Sequence, residues 1–194
     1  MLYKILKIIA TPIFFLFFRI RVHGEHRLPD RRMIVCSNHI SLLDPILLAV
    51  VFDRRIHFMA KKELYRYGIL RWLLPRLGVF PVDRGKSDIQ SIKTSIRLLK
   101  EEKVLGIFPE GTRVKTIDIA NVKPGVGLLA ARTSSDIQPV RIDTNYKLFH
   151  RTDVFIQEPI RTASYDLKDK DINHRLAHDV YRSIYEVQGE LHES

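Results

Sequence analysis

Asn38-His39-Ile40-Ser41-Leu42-Leu43-Asp44 lies between two apolar runs, Met33-Ile34-Val35-Cys36 and Pro45-Ile46-Leu47-Leu48-Ala49-Val50-Val51-Phe52. The first run reads as a strand and the second as a helix, so a histidine and a carboxylate stand at a strand-to-helix crossover. Within one helix, positions five apart differ by about 140° of rotation, and His39 and Asp44 would face apart. Pro45 prevents that. It disfavours helical backbone at the residue before it and suits the first helical turn, so the helix should begin at Pro45 with Asp44 at its edge. His39 then lies in the loop, where its imidazole can fold back onto the Asp44 carboxylate. An imidazole, which titrates at about 6.5, takes up a proton at neutral pH, and a carboxylate on one ring nitrogen leaves the other free.

The same residues also fit a plainer description. Aspartate before proline is a common helix cap, Ser41 with Asp44 imitates a capping box, and a histidine in a loop is usually solvated. On spacing alone the capping description leads.

The length of 194 residues suits one domain with a substantial core. An apolar fraction of 45% is globular rather than disordered. The 32 Lys and Arg against 22 Asp and Glu give a net charge of +10, which implies an anionic partner: phosphate-bearing lipid, nucleic acid or an acidic carrier. The single cysteine, Cys36, excludes an intramolecular disulfide and sits in an apolar strand, which fits core packing in a reducing compartment.

Residues 1–22 read MLYKILKIIATPIFFLFFRIRV. The uncharged stretch from Ile8 to Phe18 is shorter than the roughly 20 residues that cross a bilayer as a helix. No small-residue cleavage pattern follows the phenylalanines, which argues against a signal peptide. Basic residues flanking Phe and Leu, with Pro12 interrupting, describe a segment lying at a membrane interface, with a core helix as the alternative. The polar stretch His23 to Asp30 reads as a connection into the first strand, and His23 and His26 read as solvated.

Ile56-His57-Phe58-Met59-Ala60 reads as a strand. Glu63 to Leu77 then carries leucines at near-helical spacing, interleaved with Arg66, Arg71, Arg76, Tyr65, Tyr67 and Trp72. Such a segment can stack nucleic-acid bases or lie on an anionic bilayer, and the excess of leucine with no nucleic-acid motif favours the bilayer. Gly78 to Arg84 reads as a short strand. Ser87-Asp88-Ile89-Gln90 has capping-box form, followed by a helix to about Lys100 with Ile89, Ile92, Ile96 and Leu99 as its buried stripe. Val104 to Phe108 is a continuous apolar run, as in a strand covered on both faces.

That run delivers the chain to Pro109-Glu110-Gly111-Thr112-Arg113. Glycine permits close backbone approach to a ligand, a threonine hydroxyl can bond phosphate oxygens, and arginine carries a fork that matches phosphate. A turn at a strand end is the plainer alternative. Pro124 to Ala131 starts a helix despite its glycines. Residues 137–142 and 154–156 read as strands, Pro139 marking an edge or a bulge. A last helix from about Asp171 buries Ile172, Leu176, Val180, Ile184 and Val187. Strands alternating with helices predict an α/β fold, a mostly parallel central sheet flanked by helices, with an amino-terminal membrane-interfacial helical segment. The expected division is residues 1–22 for that segment and residues 23–194 for the domain.

Four blocks, Asn38-His39 through Asp44, Gly78 through Arg84, Phe108 through Arg113 and the residues around Pro139, stand in the order seen in glycerolipid acyltransferases. Over residues 23–160 the sequence resembles that family, typified by 1-acylglycerol-3-phosphate acyltransferase, and the first and third blocks together displace the capping description. Pro81 departs from the aliphatic residue common in the second block. The resemblance implies His39 as the base on the acceptor hydroxyl, which attacks an acyl thioester without an acyl-enzyme, and Asp44 as the group orienting His39. It implies phosphate binding by Arg84 and Arg113, with Glu110, Gly111 and Thr112 shaping the acceptor site. Ser41 lacks the glycine-flanked elbow of a hydrolase nucleophile.

The expected reaction moves a fatty acyl group from acyl-CoA or acyl-ACP (acyl carrier protein) to the sn-2 hydroxyl of lysophosphatidic acid (1-acylglycerol-3-phosphate), giving phosphatidic acid for phospholipid synthesis. A different lyso-lipid acceptor is the first alternative, and a non-enzymatic anionic-lipid binder the second. The expected partners are membrane lipid, lysophosphatidic acid and the acyl donor, with no nucleic acid, no cofactor beyond the donor and no metal. The expected location is the cytoplasmic face of a membrane, peripheral or monotopic. Residues 1–22 and 63–77 are expected to form the docking face and part of an acyl tunnel.

Overall fold

In the computed structural model the described residues are 2–83, 88–113 and 122–185. Arg84 and Val187 lie outside them. The chain runs α1 (Leu2–Phe18), β1 (Ile20–His23), β2 (Met33–Ser37), α2 (Asp44–Val51), β3 (Ile56–Lys61), α3 (Gly68–Arg76), β4 (Phe80–Val82), α4 (Ile89–Lys100), β5 (Val104–Ile107), α5 (Gly125–Thr133), β6 (Asp136–Asp143), β7 (Thr152–Ile156) and α6 (Ile172–Tyr185). The strands form one sheet in the order β1-β7-β6-β2-β5-β3-β4. Every pairing is parallel except β6 with β7.

The continuous apolar run of β2 has its predicted cause, helices on both faces. Met33 and Val35 pack with α1 and α2, whereas Ile34 and Cys36 pack with α4, α5 and α6. Burial holds the Cys36 thiol well above its ordinary range, consistent with a packing role. Between α5 and α6 the approach is close enough to require glycine: a Cβ on Gly127 would stand 1.9 Å from the Asn173 carbonyl oxygen.

Several local expectations are corrected. Ile20 to Val22 belongs to the sheet as edge strand β1, so the amino-terminal helix proper ends at Phe18. His23 is also in this strand, with Nε2 2.7 Å from Asp153 Oδ1 and its ring stacked on Phe155. Pro12 does not interrupt α1, which packs against α2; Lys7 Nζ donates to Phe52 O just past the end of α2. The 62–77 segment is two elements, a 3-10 turn at Lys62–Arg66 and then α3.

Asp88 caps α4, accepting from the backbone N–H of Gln90 and Ser91 at 3.0 Å each, and Ser87 lies outside the described residues. Of the expected stripe, Ile89 is exposed, Leu99 is buried, and Ile92 and Ile96 pack partly buried against the core, joined by the buried Ser91, Ser95 and Leu98. Pro139 lies in an interior strand, opposite a bulge. Val140 pairs with Ile156 and Ile137 with Ile160, so two residues of β6 face three beyond β7, and the missing proline N–H breaks no ladder bond.

The crossover after β2 runs through α2 to β3, and the crossover after β5 runs through α5 to β6, in opposite directions and on opposite faces. In an open parallel sheet that reversal leaves a crevice at the carboxyl ends of the two strands. The loops carrying His39 and Glu110 start there.

Gly127→Ala is expected to destabilise the fold by about 2 kcal/mol or more, because backbone must move to admit the methyl group. Denaturant unfolding would read this as a lower midpoint with an unchanged slope.

Candidate active site

The strands β6, β2 and β5 lie side by side, and the segments leaving their carboxyl ends supply the groups of the site. The exit of β2 is pinned first. Asn38 Nδ2 donates to Ile142 O at 2.9 Å, and Asn38 Oδ1 accepts from Ile142 N at 2.7 Å. Its amide thus extends the β2–β6 ladder one step past the last strand residue.

From there the loop turns around one carboxylate. Asp44 is fully buried, and its Oδ2 accepts from His39 Nδ1 at 2.8 Å, from Ile40 N at 2.7 Å and from Ser41 N at 2.8 Å. Its Oδ1 accepts from the Tyr146 hydroxyl at 2.6 Å. Four donors occupy one carboxylate, which is about its full accepting capacity and holds a buried charge without a cation. A carboxylate at Nδ1 requires the proton there, which leaves His39 Nε2 with its lone pair. Burial together with the Asp44 charge drives the Tyr146 phenol far above its ordinary range, so it remains a donor. Ser41 Oγ accepts from Leu43 N at 3.2 Å, a local turn bond as expected.

The other side of His39 is aromatic. Its ring stacks on Phe108 with centroids 4.1 Å apart and planes 17° apart, and Phe108 in turn stacks on Phe58 at 5.9 Å. Phe58 lies over Gly106, where a Cβ would meet its ring at 2.2 Å. The imidazole plane is therefore set by a row of rings that β3 and β5 position.

Glu110 also points inward, 2% exposed. Its Oε1 accepts from Tyr185 Oη at 2.9 Å, and its Oε2 has no hydrogen-bond partner among the described residues. Burial pushes its carboxyl up, and its own backbone N–H, the Tyr185 bond and the nearby His39 partly offset this. Gly111 adopts the left-handed conformation, φ +68°, that the turn needs. Thr112 and Arg113 are exposed at the rim. Lys123, whose N–H donates to Pro109 O, lies against Gly111 and lines an apolar cleft of about 290 Å³ with Met59, Val82, Phe108 and Leu129. No described residue of 1–22 or 63–77 lines that cleft. Among the described residues no group of three or more His, Cys, Asp or Glu is arranged to hold a metal ion.

Of the residues singled out in the sequence, His39 and Asp44 meet, Glu110 comes close beside them, and Gly111, Thr112 and Arg113 form the adjoining rim. Sequence reasoning missed Tyr146 and Tyr185, which reach the site from segments far along the chain. It also gave Asn38, Phe58 and Lys123 no role. Only Asn38 carried a local signal, an amide directly after a strand.

The acyltransferase family model matches residues 19–143. The chain belongs to the acyltransferase family. It is 31% identical over 180 residues to the 1-acyl-sn-glycerol-3-phosphate acyltransferase of Bacillus subtilis, covering 89% of each chain. The protein of the same name from Streptococcus pneumoniae is 33% identical over 122 residues, which are 61% of this chain and 45% of that protein. In fold this acyltransferase matches the crystal structure of the 1-acyl-sn-glycerophosphate acyltransferase of Thermotoga maritima. The TM-score is 0.73 at 23% identity, over 98% of this chain and 81% of that one. Tyr146 and Tyr185 of the acyltransferase lie beyond the residues that the family model matches.

The buried Glu110 has a stability cost with a definite sign. An acid whose folded value is raised above the ordinary 4.5 destabilises the fold as pH rises through that raised value, and leaves it unaffected below 4.5. Glu110→Gln, which keeps an acceptor for Tyr185, should therefore unfold at a higher temperature than wild type near about pH 8 and at the same temperature near about pH 4. Thermal scans at the two pH values read the difference.

Proposed function

We propose that this acyltransferase moves a fatty acyl group from an acyl thioester to the sn-2 hydroxyl of 1-acylglycerol-3-phosphate, forming phosphatidic acid. The observation that carries the proposal is the Asp44 carboxylate clamped to His39 Nδ1, with Nε2 left as the available base. His39 Nε2 takes the proton of the acceptor hydroxyl, and that oxygen attacks the thioester carbonyl. The tetrahedral intermediate collapses, the carbon–sulfur bond breaks, and the proton on His39 passes to the leaving thiolate. Asp44 holds the imidazole orientation throughout and stabilises the imidazolium. No acyl-enzyme is formed.

The acceptor phosphate is assigned to the basic rim, Arg113 with Lys123 and, outside the described residues, Arg84. Thr112 and the Gly111 turn allow close approach of the headgroup. The apolar cleft behind Phe108 suits an acyl chain. The acyl donor is acyl-CoA or acyl carrier protein, both anionic and compatible with a chain of net charge +10. Because much of the phosphate site rests on exposed side chains, a second lyso-lipid acceptor is the alternative reading.

Both substrates are amphiphiles, so the site must meet a bilayer. No helix among the described residues is long and apolar enough to cross a membrane. Instead α1 exposes Ile5, Ile8, Ile9, Ile13 and Leu16 on its outer side, with Ile8 71% exposed. Ile69 and Trp72 of α3 and Leu42 of the catalytic loop are also exposed. These support peripheral or monotopic docking on an anionic leaflet, the cytoplasmic one by this reading, rather than spanning.

With lysophosphatidic acid and a labelled acyl thioester in detergent micelles, His39→Ala should lower turnover by about 10²- to 10⁴-fold while vesicle binding stays as in wild type. Equal turnover in the two proteins contradicts the assignment. Deleting residues 2–18, which spares β1, should release the protein from phosphatidylglycerol vesicles in a flotation assay, and persistent flotation contradicts docking by α1.

A further inference from the structure

We propose that Tyr146 is a positioning residue for the Asp44–His39 pair and that α1 holds it there, so that the amino-terminal helix is a structural part of the active site. This rests on the transferase reading of the same site, and it adds a residue and a helix to which neither the family match nor that reading gives a catalytic part.

The geometry is a continuous set of contacts. At one end the Tyr146 hydroxyl donates to Asp44 Oδ1 at 2.6 Å, on the carboxylate oxygen that His39 does not use. At the other end the Tyr146 ring meets Phe18 of α1 edge to face, with centroids 5.8 Å apart, and Phe18 packs on the buried Phe14 at 5.2 Å. The loop carrying Tyr146 is fastened to the same helix end a second time. Phe149 N donates to Phe17 O at 2.6 Å, and the Phe149 and Phe17 rings lie 5.6 Å apart. Its base is tied to the sheet, since Thr144 Oγ1 accepts from Tyr146 N at 3.0 Å and lies 2.7 Å from Thr152 Oγ1.

Two non-glycine residues of this loop are left-handed, Tyr146 at φ +52° and Phe149 at φ +62°. Such conformations are unfavourable for residues with a Cβ and persist only where surrounding contacts hold them. The contacts that hold the two side chains include Asp44 on one side and the carboxyl end of α1 on the other, beside the Thr144 bond to Tyr146 N. Neither residue is required by the turn to be aromatic, yet both place rings on α1. Leu148 and Phe149 are more than half exposed beside this helix end, so the loop shares the apolar surface by which α1 is read to dock.

Removing the phenol hydroxyl leaves Asp44 one donor short in a buried setting, which frees the carboxylate to rotate and loosens its hold on Nδ1. The cost falls on orientation of the base rather than on substrate contact, so turnover should suffer and substrate affinity should not.

The test uses the full chain in detergent micelles and two readouts. The first is the downfield proton resonance of the His39 Nδ1–H, assigned by its loss in His39→Ala. The second is steady-state transfer from palmitoyl-CoA to lysophosphatidic acid. Tyr146→Phe is expected to shift or broaden the resonance and lower kcat by about tenfold, with KM for lysophosphatidic acid within about twofold of wild type. Phe149→Ala, which keeps the hydroxyl but releases the loop from α1, is expected to move both readouts the same way to a smaller extent. An unchanged resonance in Tyr146→Phe overturns the positioning role. A response to Tyr146→Phe with none to Phe149→Ala overturns the part assigned to α1, and Phe149→Ala alone decides the proposal if Tyr146→Phe does not fold. Wild type that gives no product yet shows a resonance responsive to both substitutions supports the proposal and counts instead against the substrate assignment.

Discussion

A buried carboxylate needs as many donors as it has lone pairs to offer, and the satisfaction of Asp44 organises much of the molecule. Its donors come from the catalytic loop at Ile40 and Ser41, from His39, and from Tyr146 a hundred residues later. Stranding such a group in an apolar interior costs several kcal/mol. The loop that supplies two of the donors is therefore drawn tightly around the carboxylate, and this compaction presents Nε2 of His39 in a defined direction. α2 starts without a side-chain cap because Leu43, at the cap position, has no acceptor to offer.

The sheet supplies what the carboxylate alone cannot. β2, β5 and β6 are adjacent and buried on both faces, so the segments leaving them begin from fixed positions. Asn38 continues the ladder beyond β2, and the Phe58–Phe108 stack fixes the imidazole plane from the β3–β5 side. Glu110 is the opposite case: a carboxylate with one oxygen satisfied by Tyr185 and the other without a partner among the described residues. A group held in that state loses stability at neutral pH and is suited to contact a polar ligand.

The amino-terminal helix joins an exposed apolar surface to the packing around the site. Its inner side packs on α2 and the carboxyl-terminal end of its inner side on the Tyr146 loop, while isoleucines and leucine are exposed on its outer side. One helix thus packs against the loop that carries Tyr146 and also carries an exposed apolar side.

Much of this was legible in the sequence, because it depends on local rules. Alternation of apolar runs with helical periodicity specified a mostly parallel α/β fold. Pro45 after Asp44 placed the crossover so that a pair five residues apart could close, and the glycine after Glu110 marked a turn beside it. Where two descriptions fitted one stretch, the structure chose between them: of the edge or bulge that Pro139 allowed it has the bulge, and Asp88 supplies the cap of α4. What only the tertiary structure decided is which distant groups complete the site. Tyr146 and Tyr185 have no motif around them, and their roles come from three-dimensional proximity to Asp44 and Glu110. A sequence states spacing along the chain, which suffices for a histidine and an aspartate in one loop. A hydrogen bond between residues 44 and 146 exists only once the sheet has brought β2 and β6 together.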